Sequence, residues 1–313
     1  MAMREKGKRG QMFTIVIILL MSFVFFSFEV YTFAVENNSA KVRVGTMNSF
    51  LNSVEKNLER QLYIVGYRIL FLAETEITKN GTYIDVDEFF NEAFFNGTVG
   101  GVENNTYLTG ARYDDLIGFI NEKSAKVNVE ITLENSMVYV YQDDPWNIKV
   151  MMVSDFVMKD LADLASWSKT QTIVATIPIV GFEDPLYTVN SNARVSRKIN
   201  KTSYEGNYVV GGDSSNLYDH VAKSYYAANT NAPSFLNRLE GNLSADVNGI
   251  ESFVNIEEFS NQGLSVLEKS KIDYTYFSNN DPAYFSVLGM QSWFLIDNST
   301  GQLEKYNVSE ILN

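Results

Sequence analysis

Arg4-Glu5-Lys6-Gly7-Lys8-Arg9-Gly10-Gln11, followed by an apolar run from Met12 to Val35 whose only charge is Glu29, is the stretch that decides how this chain is built. As a helix rising 1.5 Å per residue, 11–35 measures about 37 Å, enough to cross a ~30 Å hydrocarbon core with some tilt. Four basic residues stand ahead of the run and none follows before Lys41. The positive-inside rule therefore predicts a cytoplasmic N-terminus and an extracytoplasmic remainder. The expected localisation is the cell membrane, single-pass, with 11–35 in contact with membrane lipid.

A secretory signal ends in a small-residue cleavage site after its apolar region, and Phe28-Glu29-Val30-Tyr31 offers none. Lys8-Arg9-Gly10-Gln11, with the helix following at once, resembles instead the class III leader of archaeal type IV pilin-like proteins. The resemblance covers roughly residues 4–35. It implies that a prepilin peptidase cuts between Gly10 and Gln11, so that 1–10 is a leader and Gln11 the new N-terminus. It also implies that the retained helix can assemble with other pilin-like subunits. Many members carry a glutamate at the fifth mature position; here that residue is Ile15, and the acid within the helix is Glu29.

Beyond the run, apolar residues recur at Val44, Met47, Leu51, Val54, Leu58, Leu62, Val65, Ile69 and Leu72. That spacing of threes and fours predicts an amphipathic helix over 36–76, packed on its own domain. A break or kink is expected near Asn37 to Ser39 or at Gly45. Two shorter helices are expected at Val86 to Phe95 and Tyr113 to Lys123, separated by the loop signal Asn96-Gly97-Thr98-Val99-Gly100-Gly101. Phe89, Phe90, Phe94 and Phe95 read as core.

Period-two alternation from Val127 to Leu133 predicts a strand. Asn135-Ser136 is read as a tight hairpin into Met137 to Tyr141, and Asp143-Asp144-Pro145 as a turn into Asn147 to Phe156. With a strand at Thr172 to Ile179, this makes an antiparallel meander of about four strands. Later elements expected are a helix from Leu217 to Asn229 and a short helix opened by Pro233 and capped by Asn231, with an Arg238–Glu240 ion pair. A strand at Lys271 to Phe277 and a hairpin of Ser292 to Asp297 with Gln302 to Val308 close the chain. The fold class is α+β: a long N-terminal transmembrane and amphipathic helix, then a mainly antiparallel ectodomain with additional helices over 77–313. A subdivision near 203–216 is the candidate boundary.

Without residues 1–10 the chain carries 21 Lys+Arg against 37 Asp+Glu. So acidic a surface disfavours nucleic acid, whose non-specific affinity comes from neutralising phosphates. There is no cysteine, hence no disulfide or thiolate metal site, and only one histidine. Nucleophile-elbow, phosphate-loop and dinucleotide motifs are absent from the sequence. His220, beside Asp219 and near Ser214 and Ser215, is the one candidate base, but adjacent helix residues do not face each other. The pairs Glu183–Asp184 and Glu257–Glu258 could serve a glycosidase only at a separation the fold must set. Asp143-Asp144 and Asp281 lack the spaced oxygen ligands of a calcium loop. No cofactor is expected. Sequons at Asn37, Asn80, Asn96, Asn104, Asn200, Asn242, Asn298 and Asn307 are candidate glycosylation sites of an exported domain.

These readings lead to a non-enzymatic, membrane-anchored pilin-like surface protein, a minor subunit of a filament or of a secretion or adhesion complex. The alternatives are a cell-envelope receptor or binding module that never polymerises and, last, an exported hydrolase.

Overall fold

A computed structural model describes residues 4–162 and 165–313, the side chains of 4–11 and 105 excepted. Helix α1 runs without interruption from Arg4–Asn80. It is followed by α2 (Val86–Asn91), a π-helical turn (Glu92–Asn96), the two-residue strands β1 (Thr98–Val99) and β2 (Val102–Glu103), α3 (Asn105–Leu108) and α4 (Tyr113–Ala125). Three long strands come next: β3 (Val129–Asp144), β4 (Asn147–Asp160) and β5 (Ser166–Pro178). The C-terminal part is short-element and loop-rich: α5 (Pro185–Asn190), α6 (Ser215–Ala222), β6 (Ala227–Ala228), α7 (Phe235–Leu239), β7 (Ile250–Glu251), α8 (Ile256–Asn261), α9 (Asp273–Tyr276), β8 (Tyr284–Ser286), β9 (Leu295–Asp297) and α10 (Gln302–Lys305). The α+β class with antiparallel sheets is as the sequence implies.

The break expected at Asn37 to Ser39 or Gly45 is absent. No proline occurs before Pro145, and an interior glycine costs a helix only about 1 kcal/mol. A Cβ at Gly45 would meet open space, so nothing forces the chain to turn there.

The expected hairpin at Asn135-Ser136 is also absent, and two expected strands merge into β3. Inward-facing residues are odd-numbered before this point (Val129, Ile131) and even-numbered after it (Ser136, Val138). One residue inserted without a partner shifts the phase in this way, and Asn135 supplies it with φ +51°. The sheet is therefore a three-stranded meander, β3-β4-β5. The turn at 145–146 is as read: Asp144 Oδ1 accepts from Trp146 N–H at 2.8 Å.

Contacts divide the chain into two units: 1–56 with 120–132 and 156–169, and 57–119 with 133–155 and 170–313. Within the first, Met47, Leu51 and Val54 of α1 are buried, as are Ile120, Val129, Phe156 and Met158. Within the second, Leu58, Leu62, Ile69 and Leu72 are wholly buried, as are Ile148, Val150 and Ile177. Gly66 marks a close approach, for a Cβ there would lie 2.7 Å from Ile177 Cδ1 and 2.9 Å from Val150 Cγ2. Further along the second unit, Phe253, Phe294, Ile296, Tyr306 and their neighbours form a core of their own.

Several C-terminal expectations are corrected. Gln302 to Val308 opens as α10, and β9 pairs with β8. Residues 273–276, read as part of a strand, form the short helix α9, with the Asp273 side chain turned into the interior. The helix read from Leu217 to Asn229 is Ser215–Ala222, and its tail becomes β6. Ser234, whose side chain accepts from Asn237 N–H, caps α7 in place of Asn231.

Candidate functional site

The first candidate is α1 itself. From Met12 to Val35 its large apolar residues are exposed, Met12 at 71% and Phe33 at 67%, whereas Leu58, Leu62 and Ile69 stand at 0%. Each exposed Leu, Ile, Val or Phe forgoes about 1.5–3 kcal/mol relative to burial. This is the one helix among the described residues long and apolar enough to span a membrane. Gly10 and Gln11 lie on its backbone path, but their side chains are outside the described residues.

The second candidate is a cleft of about 570 Å³ in the second unit. Tyr67, Phe71 and Glu74 reach it from one face of α1, and Phe182, Glu183 and Lys198 line the other side. Phe182 tilts against Tyr67 at 5.2 Å between centroids, and Phe71 against Tyr107 at 5.7 Å. Glu74 Oε accepts from the Glu183 backbone N–H at 2.6 Å. Burial pushes the Glu74 carboxyl up to about 8, with the Glu183 charge adding to the rise and Lys198 opposing it. A carboxyl held protonated at neutral pH beside aromatic faces can donate a hydrogen bond as well as accept one. The sequence marks Glu74 by its position, four residues after Leu70 and three before Ile77, which puts an acid on the buried face of the helix.

Asp184, next to Glu183, belongs to the interior. Arg238 Nη1 lies 2.5 Å from Asp184 Oδ2 and 2.9 Å from Asp273 Oδ2, all three side chains being fully buried. Tyr226 Oη donates to Asp184 at 2.9 Å, and Ser252 donates to Asp273 through N–H (3.0 Å) and Oγ (2.7 Å). Glu240, expected to pair with Arg238, instead accepts from Val86 N–H at 3.4 Å. Two carboxylates share one guanidinium here, and burial drives Asp184 upward against the pull of Arg238. The group is a structural cross-tie between α5, α7 and α9.

His220 is wholly buried, and burial depresses its pKa to about 3. Its Nδ1 lies 3.1 Å from Thr202 Oγ1, and the ring packs against Tyr208, Phe253 and Tyr306. Asp219 is engaged elsewhere, accepting from Tyr204 Oη at 2.6 Å and pairing with Lys223. Ser215 Oγ bonds Asp213. The sequence neighbours of His220 are thus not assembled into a triad. Glu257 accepts from Trp293 Nε1 at 2.8 Å, and Glu258 pairs with Arg197. Asp143 lies 3.8 Å from Lys149, and Asp281 is exposed. Phe89, Phe90 and Phe94 are buried, and Phe95 is half-buried. Of the sequon asparagines, Asn37, Asn80, Asn96, Asn200, Asn242, Asn298 and Asn307 are exposed, and Asn104 is half-buried as the cap of α3.

No protein-family model, curated protein or solved structure matches this chain.

Proposed function

We propose that this is a non-enzymatic, membrane-anchored pilin-like surface protein, held by residues 12–35 with its N-terminus in the cytoplasm and its bulk outside. A single observation supports it best: one unbroken helix is apolar and uncovered over its first part and buried against antiparallel sheet over its second. Apolar side chains left uncovered by protein need another apolar medium, and lipid supplies it. On this reading a prepilin peptidase cuts at the cytoplasmic end between Gly10, the last residue of the basic leader, and Gln11, and other pilin-like subunits are the partners of the exposed helix. Mass spectrometry of the N-terminal peptide from the native host tests this. The expected peptide begins at Gln11; one that retains Met1 or Ala2 removes the pilin-type processing. The cleft at Glu74 favours a second reading, a cell-envelope binding module that never polymerises. Recovery of the protein with membranes and never in sheared surface filaments selects that reading.

A further inference from the structure

The end of the first unit that borders the apolar run differs from the rest of the chain. Arg43, about 12 Å along the helix beyond Val35, gathers the surrounding segments. Its guanidinium donates to Asp160 Oδ1 at 2.7 Å and to the carbonyls of Val127 and Asn128 at 2.6 and 2.7 Å. The Leu161 N–H closes the group onto Asn128 O at 3.1 Å. Met158 lies with Met47 and Leu51 beside an apolar hollow, whereas Asp160 reaches Arg43. The end of β4 therefore runs toward the N-terminal part of α1. Around this clamp Val42 (63%), Val44 (51%) and Leu161 (61%) are exposed, as are Lys41, Lys126 and Lys159.

Charge is segregated in the same sense. Residues 36–56, 120–132 and 156–169 carry seven Lys+Arg against six Asp+Glu, whereas the second unit carries 14 against 30. The first unit beyond the apolar run is therefore close to neutral, whereas the second is strongly acidic.

We propose that this end seats on an anionic lipid surface, with Lys41 and Lys159 meeting headgroup phosphates, Lys126 held beside them by its ion pair with Glu122 (2.7 Å), and Leu161 and Val42 touching the interface. The inference rests on residues 12–35 spanning the bilayer. The headgroup layer occupies about 5–7 Å beyond the hydrocarbon. The remaining gap to Arg43 is within about one Debye length at physiological salt (~8 Å), and lysine stems extend across it. The function supplied is orientation: the anchored helix alone fixes the height of the first unit, and a second contact fixes its rotation about the helix axis.

The chain has no cysteine, so Leu161→Cys gives one attachment site for a fluorophore in the full-length protein. It is reconstituted into vesicles carrying a headgroup-linked quencher, either wholly zwitterionic or one-third phosphatidylglycerol. Quenching is expected to be stronger in the anionic vesicles, and high salt is expected to abolish the difference. Lys159→Ala should lower the seated-to-lifted ratio about fivefold. Val42→Cys provides an independent second site. Equal quenching in both lipids, for a chain that floats with both, overturns the proposal while leaving the span intact. A chain that does not float with vesicles overturns the span and the seat together.

Discussion

Replacing Glu74 with Gln tests whether the cleft carboxyl is protonated in the folded protein. Burial, assisted by the Glu183 charge, lifts its pKa from 4.5 to about 8. The folded chain therefore holds a proton that the unfolded chain releases through the range between these values. Unfolding is favoured as pH rises, with no penalty below pH 4.5, a growing one up to about 8, and a level one beyond. At about 1.4 kcal/mol per pKa unit, the wild type forgoes about 3 kcal/mol by pH 7. Glutamine keeps an oxygen for the Glu183 N–H and has no proton to lose. Denaturant unfolding of both proteins in detergent at pH 5, 6, 7 and 8 should show curves close together at pH 5. The variant should become the more stable by several kcal/mol at pH 8. A stability difference that stays constant from pH 5 to 8 would refute the assignment of Glu74 as a buried, neutral acid.

Arg238→Met leaves Asp184 and Asp273 buried without their shared cation and should cost about 3–5 kcal/mol; a loss under about 1 kcal/mol by urea titration would show that the cross-tie is dispensable. Gly66→Ala drives a methyl against Ile177 Cδ1 and Val150 Cγ2, an overpacking cost of about 1–3 kcal/mol that better helix propensity offsets by about 1 kcal/mol. Ile177→Val removes the clashing Cδ1, so the double variant should be less destabilised than the sum of the two singles, and strict additivity would contradict this packing. Gly249→Ala should be far more damaging, by at least about 3 kcal/mol, because its Cβ would lie 2.0 Å from Ala232 O and 2.3 Å from Asn229 O, backbone atoms that cannot step aside. A folded Gly249→Ala protein of near-normal melting temperature would count against that turn.

Long, periodic segments were legible and short ones were not. The stripe from Val44 to Leu72 repeats often enough to predict a packed helix, and Asp144 with Pro145 announces a turn by its local chemistry. Asn135-Ser136 misled because asparagine suits a left-handed residue equally well in a hairpin and in a bulge. Lys271 to Phe277 alternates like a strand, yet 273–276 is helical and Asp273 pairs with Arg238, a contact between residues far apart in sequence that local alternation does not encode. The candidate cleft was hidden for the same reason. Glu183 stood out as half of a carboxylate pair with Asp184, but its neighbour across space is Glu74, while Asp184 faces inward to Arg238. Buried charges are placed by tertiary partners, and no local periodicity encodes them.

The central claim, that the uncovered part of α1 lies in lipid, is tested most directly by nitroxide scanning of single cysteines at Ile18, Phe25 and Phe33 in the full-length chain in vesicles. Oxygen accessibility should be high and water-soluble nickel accessibility low at all three, with the deepest signal near Phe25. Nickel accessibility at these sites matching that of an exposed, water-facing residue such as Val247 would contradict the account.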